Sequence, residues 1–131
     1  MKESIFVKDD KGMKKQLPKP VRWVASSKAE LNSFPREVRR EIGYAIHFAQ
    51  MGDKHPSAKP LKGFGGAGVL EVVEDFNRST YRAVYTIRFE GVIYILVAFQ
   101  KKSTRGIETP KHVIALIRER LRAAEEDYKR G

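Results

Sequence analysis

The chain has 131 residues, of which 41% are hydrophobic, so its length and composition suit one domain with a buried core. It has no cysteine, which excludes disulfides, thiolate nucleophiles and zinc–thiolate sites, and its three histidines are scattered without a metal-binding spacing. Because it lacks both a long apolar run and a signal-peptide pattern, we expect a cytoplasmic protein with no cofactor and no membrane partner.

The net charge of +10 is unevenly distributed along the chain. Residues 54–105 contain nine lysines and arginines against four acids, which is half of the excess. A local basic excess favours a phosphate-rich partner such as nucleic acid. Solubility or an acidic partner protein is the alternative explanation.

The first residues differ in composition from the rest. Residues 1–19 mix lysine, aspartate, glycine and proline, which predicts a flexible N-terminal extension. Residues 20–131 are predicted to form a single domain. Its first strand is Val21-Arg22-Trp23-Val24, which has the aromatic and β-branched composition of strands.

Two helices follow this strand. The capping-box pattern Ser27-Lys28-Ala29-Glu30 predicts the start of the first, with Ser27 as the cap. Pro35 suits the first turn of the second, and Gly52 is a typical stop signal. We expect the two helices to form a hairpin packed on a sheet.

The second half of the chain reads as a loop, three strands and a last helix. Residues 52–68 form a glycine-rich basic loop, and the strands are predicted at 69–76, 80–89 and 92–102. Thr109-Pro110 is a cap-plus-first-turn signal for the C-terminal helix. The order β-α-α-β-β-β-α predicts an α+β fold with a mainly antiparallel four-stranded sheet, an N-terminal helical hairpin and a C-terminal helix.

The middle strand alternates with period two. One face, predicted to lie under the helices, carries Tyr81, Ala83, Tyr85, Ile87 and Phe89. The other face carries Arg82, Val84, Thr86 and Arg88 and is predicted to be an open surface. The next strand ends in Lys101 and Lys102, and these adjacent lysines can both share a face with Arg82 only if the strand ends or bulges there.

Several short motifs occur together in a characteristic order: Trp23, Phe34-Pro35, Gly43-Tyr44-Ala45, Lys59-Pro60-Leu61-Lys62-Gly63, Val69-Leu70-Glu71, Tyr81-Arg82-Ala83-Val84-Tyr85, Phe99-Gln100-Lys101-Lys102-Ser103 and Thr109-Pro110. In these motifs, residues 20–125 resemble the phage-derived Gp49-like, HigB-type branch of the RelE/ParE toxin superfamily. The resemblance implies a RelE-like fold and a toxin of a type II toxin–antitoxin pair. It also implies cleavage of mRNA on the translating ribosome and a HigA-type helix-turn-helix antitoxin. Some relatives have histidine where this chain has Val97.

Metal-independent RNA cleavage needs a base for the ribose 2′-OH, a cation beside the phosphorane and a proton donor for the leaving oxygen. We assign Arg82 as the transition-state cation, since its planar fork suits phosphate oxygens. Lys101 and Lys102 are candidates for phosphate binding or, for one of them, the base. Candidate RNA-binding residues are Lys59, Lys62, His55, Arg78 and Arg105. Supporting candidates are Glu71, which can pair with a cation, and Tyr81 and Tyr85, for which core packing competes with base stacking.

The sequence therefore predicts a toxin that is a metal-independent, ribosome-dependent mRNA endoribonuclease and inhibits translation. One alternative is a ParE-like non-catalytic toxin that acts on DNA gyrase. Another is an inactive basic RNA-binding module.

Overall fold

A computed structural model describes residues 6–8, 14–66, 68–101 and 109–131, with the backbone alone for 6–8 and 14–16. The strands are β1 (Phe6–Lys8), β2 (Lys14–Gln16), β3 (Val21–Trp23), β4 (Ala58–Pro60), β5 (Val69–Phe76), β6 (Ser79–Thr86) and β7 (Ile93–Lys101). The helices are α1 (Ser27–Asn32), α2 (Arg36–Gln50) and α3 (Lys111–Lys129). No described helix combines the length and apolar content of a membrane span.

The main sheet has five strands in the order β3-β7-β6-β5-β4. The pairs β4–β5, β5–β6 and β6–β7 are antiparallel, and only β3 runs parallel to its neighbour β7. The predicted α+β class and mainly antiparallel sheet are confirmed. The sheet has one strand more than predicted, because the basic loop contains β4, which is too short to show a period-two pattern. β1 and β2 form a separate antiparallel pair within the predicted N-terminal extension.

Helices cover both faces of the main sheet. On one face, Leu31 of α1 and Ile42 of α2 pack with Tyr81, Ala83 and Tyr85 of β6, as the alternation predicted. On the other face, the apolar stripe of α3 packs in a second cluster formed by Val113, Ile117, Ala124, Val84, Leu96 and Val97. Both faces are therefore apolar cores.

Coverage by α3 corrects the prediction of an open second face. Arg82 is only 4% exposed, and Thr86 is fully buried. An amphipathic helix must bury its stripe against another layer, and this sheet face is the layer available. β6 also ends at Thr86, so Ile87 is exposed instead of packing under the helices, and Phe89 packs with the second cluster.

The helix starts differ by one residue from those predicted. Ser26, not Ser27, is the cap of α1, and Ser27 is fully buried. Glu30 does not close the predicted capping box, because its carboxylate accepts hydrogen bonds from Ser26 Oγ and from a distant arginine. Pro35 and Pro110 occupy the cap positions of α2 and α3 rather than their first turns. The predicted stop after α2 is confirmed, since Gly52 has a φ of 83°.

A two-residue turn joins β5 to β6. Asn77 and Arg78 have φ values of 49° and 64°, which are the left-handed angles of a type I′ hairpin turn. This turn places Arg78 at the tip of the hairpin, exposed to solvent.

Candidate functional site

Arg82 forms a buried ion pair on the face covered by α3. Its Nη1 donates to Glu71 Oε1 at 3.2 Å, and the two side chains are 5% and 13% exposed. The other carboxylate oxygen, Glu71 Oε2, accepts a hydrogen bond from Thr109 Oγ1 at 3.0 Å. A buried charge is tolerated only when it is paired and hydrogen-bonded. Glu71 therefore fixes the guanidinium of Arg82 and connects β5 and β6 to the residues just before α3.

Lys101 lies on the same sheet face as Arg82. In the β6–β7 ladder Arg82 is opposite Phe99, and Thr80 is opposite Lys101. Residues directly opposite each other share a face, and residues two apart on a strand do so as well. The half-buried Lys101 is therefore the lysine of the pair that shares a face with Arg82. Lys102 and Arg105 lie outside the described residues.

Lys59 extends this arrangement to the edge of the sheet. It is exposed and directly opposite Glu71 in the β4–β5 ladder. Four adjacent strands thus contribute one charged residue each to a single face, namely Lys59, Glu71, Arg82 and Lys101, which we call the charged row. It carries three cations and one anion, so it favours an anionic ligand.

Three of the predicted residues lie on the opposite side of the sheet. The His55 ring packs edge-on against Phe48 of α2, with a centroid distance of 5.2 Å, and its Nδ1 accepts a hydrogen bond from the Ser57 amide. Tyr81 packs edge-on against Phe34 at 4.9 Å. Tyr85 is fully buried, and burial raises its pKa to about 12. The structure does not bring these side chains together with the charged row.

A second basic surface borders α3 and was not found from the sequence. It is a groove of about 600 Å³ lined by Gly63, Phe64, Arg88, Phe89, Arg118, Leu121, Arg122 and Glu125, which we call the arginine groove. The Arg118 guanidinium lies 4.6 Å from the centre of the Phe64 ring and donates to the Gly63 carbonyl at 3.1 Å. Arg88 donates to the Phe64 carbonyl. The exposed Lys62 lies next to Gly63, which connects the basic loop to the groove.

The signal for this groove was present in the last helix. Lys111, Arg118 and Arg122 recur at the spacing of one helix face, opposite the apolar stripe. Without knowledge of which loop lies alongside, such a stripe is indistinguishable from an ordinary solvated helix face.

Arg120 is the second feature that the sequence did not indicate. Its Nη1 donates to Glu30 Oε1 and to the Leu96 carbonyl, each at 2.8 Å, and its Nη2 donates to Glu30 Oε2 at 2.9 Å and to Ser26 Oγ at 3.0 Å. Glu30 also accepts a hydrogen bond from the Ala98 amide. This network joins α1, β7 and α3. Burial raises the pKa of Glu30, but the hydrogen bonds from Arg120, Ser26 and the Ala98 amide outweigh it and hold that pKa below its usual value.

Among the described residues, no group of three or more histidines and acids is arranged to hold a metal ion. The charged row itself offers a guanidinium, a carboxylate and ammonium groups. Such groups bind phosphate and stabilise developing negative charge.

Comparison with known proteins identifies the family. The sequence profile of the family "Phage derived protein Gp49-like" matches residues 29–122. Among solved structures that match is the toxin–antitoxin complex RelBE2 from Mycobacterium tuberculosis, with 19% identity, a TM-score of 0.45, and coverage of 65% of this chain and 100% of that chain. No curated protein matches significantly. Because the profile spans well over half of the sequence, the chain belongs to the phage-derived Gp49-like family of RelE-type toxins.

Proposed function

We propose that this toxin is a metal-independent mRNA endoribonuclease that acts on the translating ribosome and is neutralised by a HigA-type helix-turn-helix antitoxin. The observation that carries the proposal is the charged row, in which a carboxylate holds Arg82 in place between Lys59 and Lys101 on one sheet face. A preorganised guanidinium in a site with little water stabilises a developing phosphorane more strongly than one in bulk water.

In the proposed reaction, the ribose 2′-oxygen attacks the adjacent phosphorus while a base removes its proton. The bond from phosphorus to the 5′-oxygen breaks, and the 5′-oxygen receives a proton, which leaves a 2′,3′-cyclic phosphate and a 5′-hydroxyl. Arg82 stabilises the phosphorane oxygens, and Glu71 positions Arg82. Lys101 contacts the scissile phosphate or serves as the base that accepts the 2′ proton.

The cations beyond Arg82 and Lys101 extend the RNA path in both directions. Lys59 and Lys62 lead from the charged row along the basic loop to the arginine groove, where the half-buried Phe89 adds aromatic surface. Arg78 lies at the far end of β6, near Gln100, whose amide donates to Ser79 Oγ at 3.0 Å. Basic side chains interleaved with aromatic rings are typical of single-stranded RNA binding.

The proposal is tested by inducing the protein alone and mapping the 5′ ends of cellular mRNA within minutes. Wild type should create new ends within translated regions, and purified mRNA without ribosomes should stay intact. Arg82→Lys and the double variant Lys101→Ala/Lys102→Ala should lose most of the new ends, by a factor on the order of 100 for loss of one transition-state donor. The double variant Lys28→Ala/Arg130→Ala removes two exposed cations elsewhere and serves as the matched control.

Melting temperatures separate loss of activity from loss of folding, which matters because Arg82 is buried. If Arg82→Lys and the lysine variant stay folded and cleave mRNA as wild type does, the charged row is not the active site. DNA-damage signalling without new mRNA ends would instead favour the gyrase-directed alternative. Normal growth on induction would favour the inactive RNA-binding module.

A further inference from the structure

The outer face of α2 exposes two aromatic rings. Tyr44 is 53% exposed and Phe48 39%, and they are two of the three large hydrophobic residues that are exposed in the described part of the chain. They lie four residues apart, so they are neighbours on the helix surface. The opposite face of α2 is already buried against the sheet. These rings therefore form a patch that the described chain leaves largely open, with only the His55 ring packed against Phe48.

Gly43 lies in the interior of the same helix, on its exposed side but about 100° round the helix axis from Tyr44. Glycine is the poorest helix former after proline, so it normally has a conformational or packing reason there. Gly43 has neither reason within the chain. It is not among the described residues with positive φ, and a Cβ added to it would meet nothing within 4 Å. What its missing side chain does provide is bare helix backbone on the exposed side of α2, between Arg40 and His47.

The same helix carries basic residues on its exposed side. Arg40 and Arg36 precede Tyr44 by one and two turns, and His47 lies between the two aromatic rings in sequence. The acids of α2 are Glu37 and the half-buried Glu41. A second copy of this chain would bring another charge of +10 to the patch, so self-association is disfavoured and an acidic partner is favoured.

We propose that the exposed side of α2, with Gly43 on one flank and Tyr44 and Phe48 on the other, is a docking surface for an amphipathic helix of an acidic partner protein. A glycine at a helix crossing lets the two backbones approach to about 8 Å, the short end of helix–helix distances. The two rings then cover apolar side chains of the partner, and Arg36 and Arg40 pair with its acidic flank. The sheet separates the α2 face from the charged row. RNA bound at the charged row therefore leaves the α2 face accessible.

This proposal deepens the proposed function, since the partner is then the antitoxin, but it is tested without RNA. The probe is a synthetic amphipathic peptide of about 20 residues with leucines at helical spacing and glutamates on both flanks. Its binding to the full chain is measured by fluorescence anisotropy, beside a peptide with lysine in place of every glutamate. The acidic peptide should bind, and the basic one should not.

Gly43→Ala should change peptide affinity and protein stability in opposite directions. The methyl group should weaken binding of the acidic peptide about tenfold, as overpacking of a close contact does. The same change should raise the melting temperature of the free protein by roughly 3–5 °C, because alanine is the better helix former. Ala123→Gly, the reverse exchange at an exposed position of α3, is the matched control and should lower the melting temperature without changing peptide affinity.

Several results would overturn the proposal: equal peptide affinity in Gly43→Ala and wild type, failure of the acidic peptide to bind, or concentration-dependent dimerisation that Gly43→Ala abolishes. Weaker binding of a short single-stranded RNA by Gly43→Ala would assign the face to nucleic acid and would overturn it too. A protein that binds the peptide through Gly43 but cleaves no mRNA refutes only the proposed function. A protein that cleaves mRNA but binds the peptide independently of Gly43 refutes only the docking surface.

Discussion

Replacing Arg120 by methionine removes the centre of the network that joins α1, β7 and α3. The side chain is 9% exposed and donates four hydrogen bonds to Glu30, Ser26 and the Leu96 carbonyl, at distances between 2.8 and 3.0 Å. Removing one partner of a buried ion pair costs about 3–5 kcal/mol, because the other charge is left uncompensated. Glu30 is 25% exposed, so water compensates in part, and we expect a loss of about 3 kcal/mol of unfolding free energy near neutral pH.

The effect of this substitution should depend on pH with a defined sign. In the wild type the folded-state pKa of Glu30 lies below the usual 4.5, so its contribution to stability is present above that value and is lost as the pH falls through the lowered pKa. Burial is the largest single influence on the pKa of Glu30 and raises it, and Arg120 is the largest of those that lower it, so the pKa of Glu30 should be higher in the variant than in the wild type. As the pH rises, the variant should therefore gain less stability from Glu30 than the wild type does, and its difference from wild type should shrink in acid.

Urea denaturation followed by circular dichroism at about pH 4 and pH 7 measures both effects. The double variant Arg120→Met/Glu30→Leu is the control, because it removes both charges and should recover most of the stability that Arg120→Met loses. The reasoning is refuted if Arg120→Met costs less than about 1 kcal/mol, or if its cost is the same at both pH values.

Three further predictions use other features. Tyr85→Phe removes a hydroxyl that has no hydrogen-bond partner in the described part of the chain, so stability should rise by about 1 kcal/mol in thermal denaturation, and a clear loss would contradict this. Arg78→Gly relieves a φ of 64° and should stabilise the fold by about 1 kcal/mol while weakening RNA binding in anisotropy measurements, whereas unchanged RNA affinity would remove Arg78 from the RNA path. Arg118→Ala/Arg122→Ala should lower the salt dependence of RNA binding by roughly 0.7 in log–log slope for each phosphate that is no longer neutralised, and an unchanged slope would exclude the arginine groove.

Periodicity predicted most of the fold from the sequence. The alternation of Tyr81, Ala83 and Tyr85 identified the face of β6 that packs under the helical hairpin, and the apolar spacing of α3 predicted the last helix. Periodicity does not show which layer covers the remaining face of a sheet. The burial of Arg82 follows from the packing of α3, which depends on the path of the chain between β7 and that helix.

The candidate site was only partly predictable because it depends on register. Arg82 and Lys101 were recognised as separate candidates, but their common face follows from the pairing of Arg82 with Phe99. Lys59 joins the charged row through a three-residue strand that carries no recognisable pattern. Arg120 was overlooked because a long cationic side chain within an apolar stripe is ordinarily expected to extend to solvent.

The parallel pairing of β3 with β7 has a consequence for how the protein is made. Val21 pairs with Ile93, so the first strand of the main sheet cannot pair until a strand about 70 residues further along the chain has been synthesised. Closing so long a loop is slow compared with forming the β5–β6 hairpin, whose strands are joined by two residues. Lys101, at the end of β7, completes the charged row at the same late moment. During its own translation the nascent chain therefore lacks a complete charged row until β7 has been synthesised.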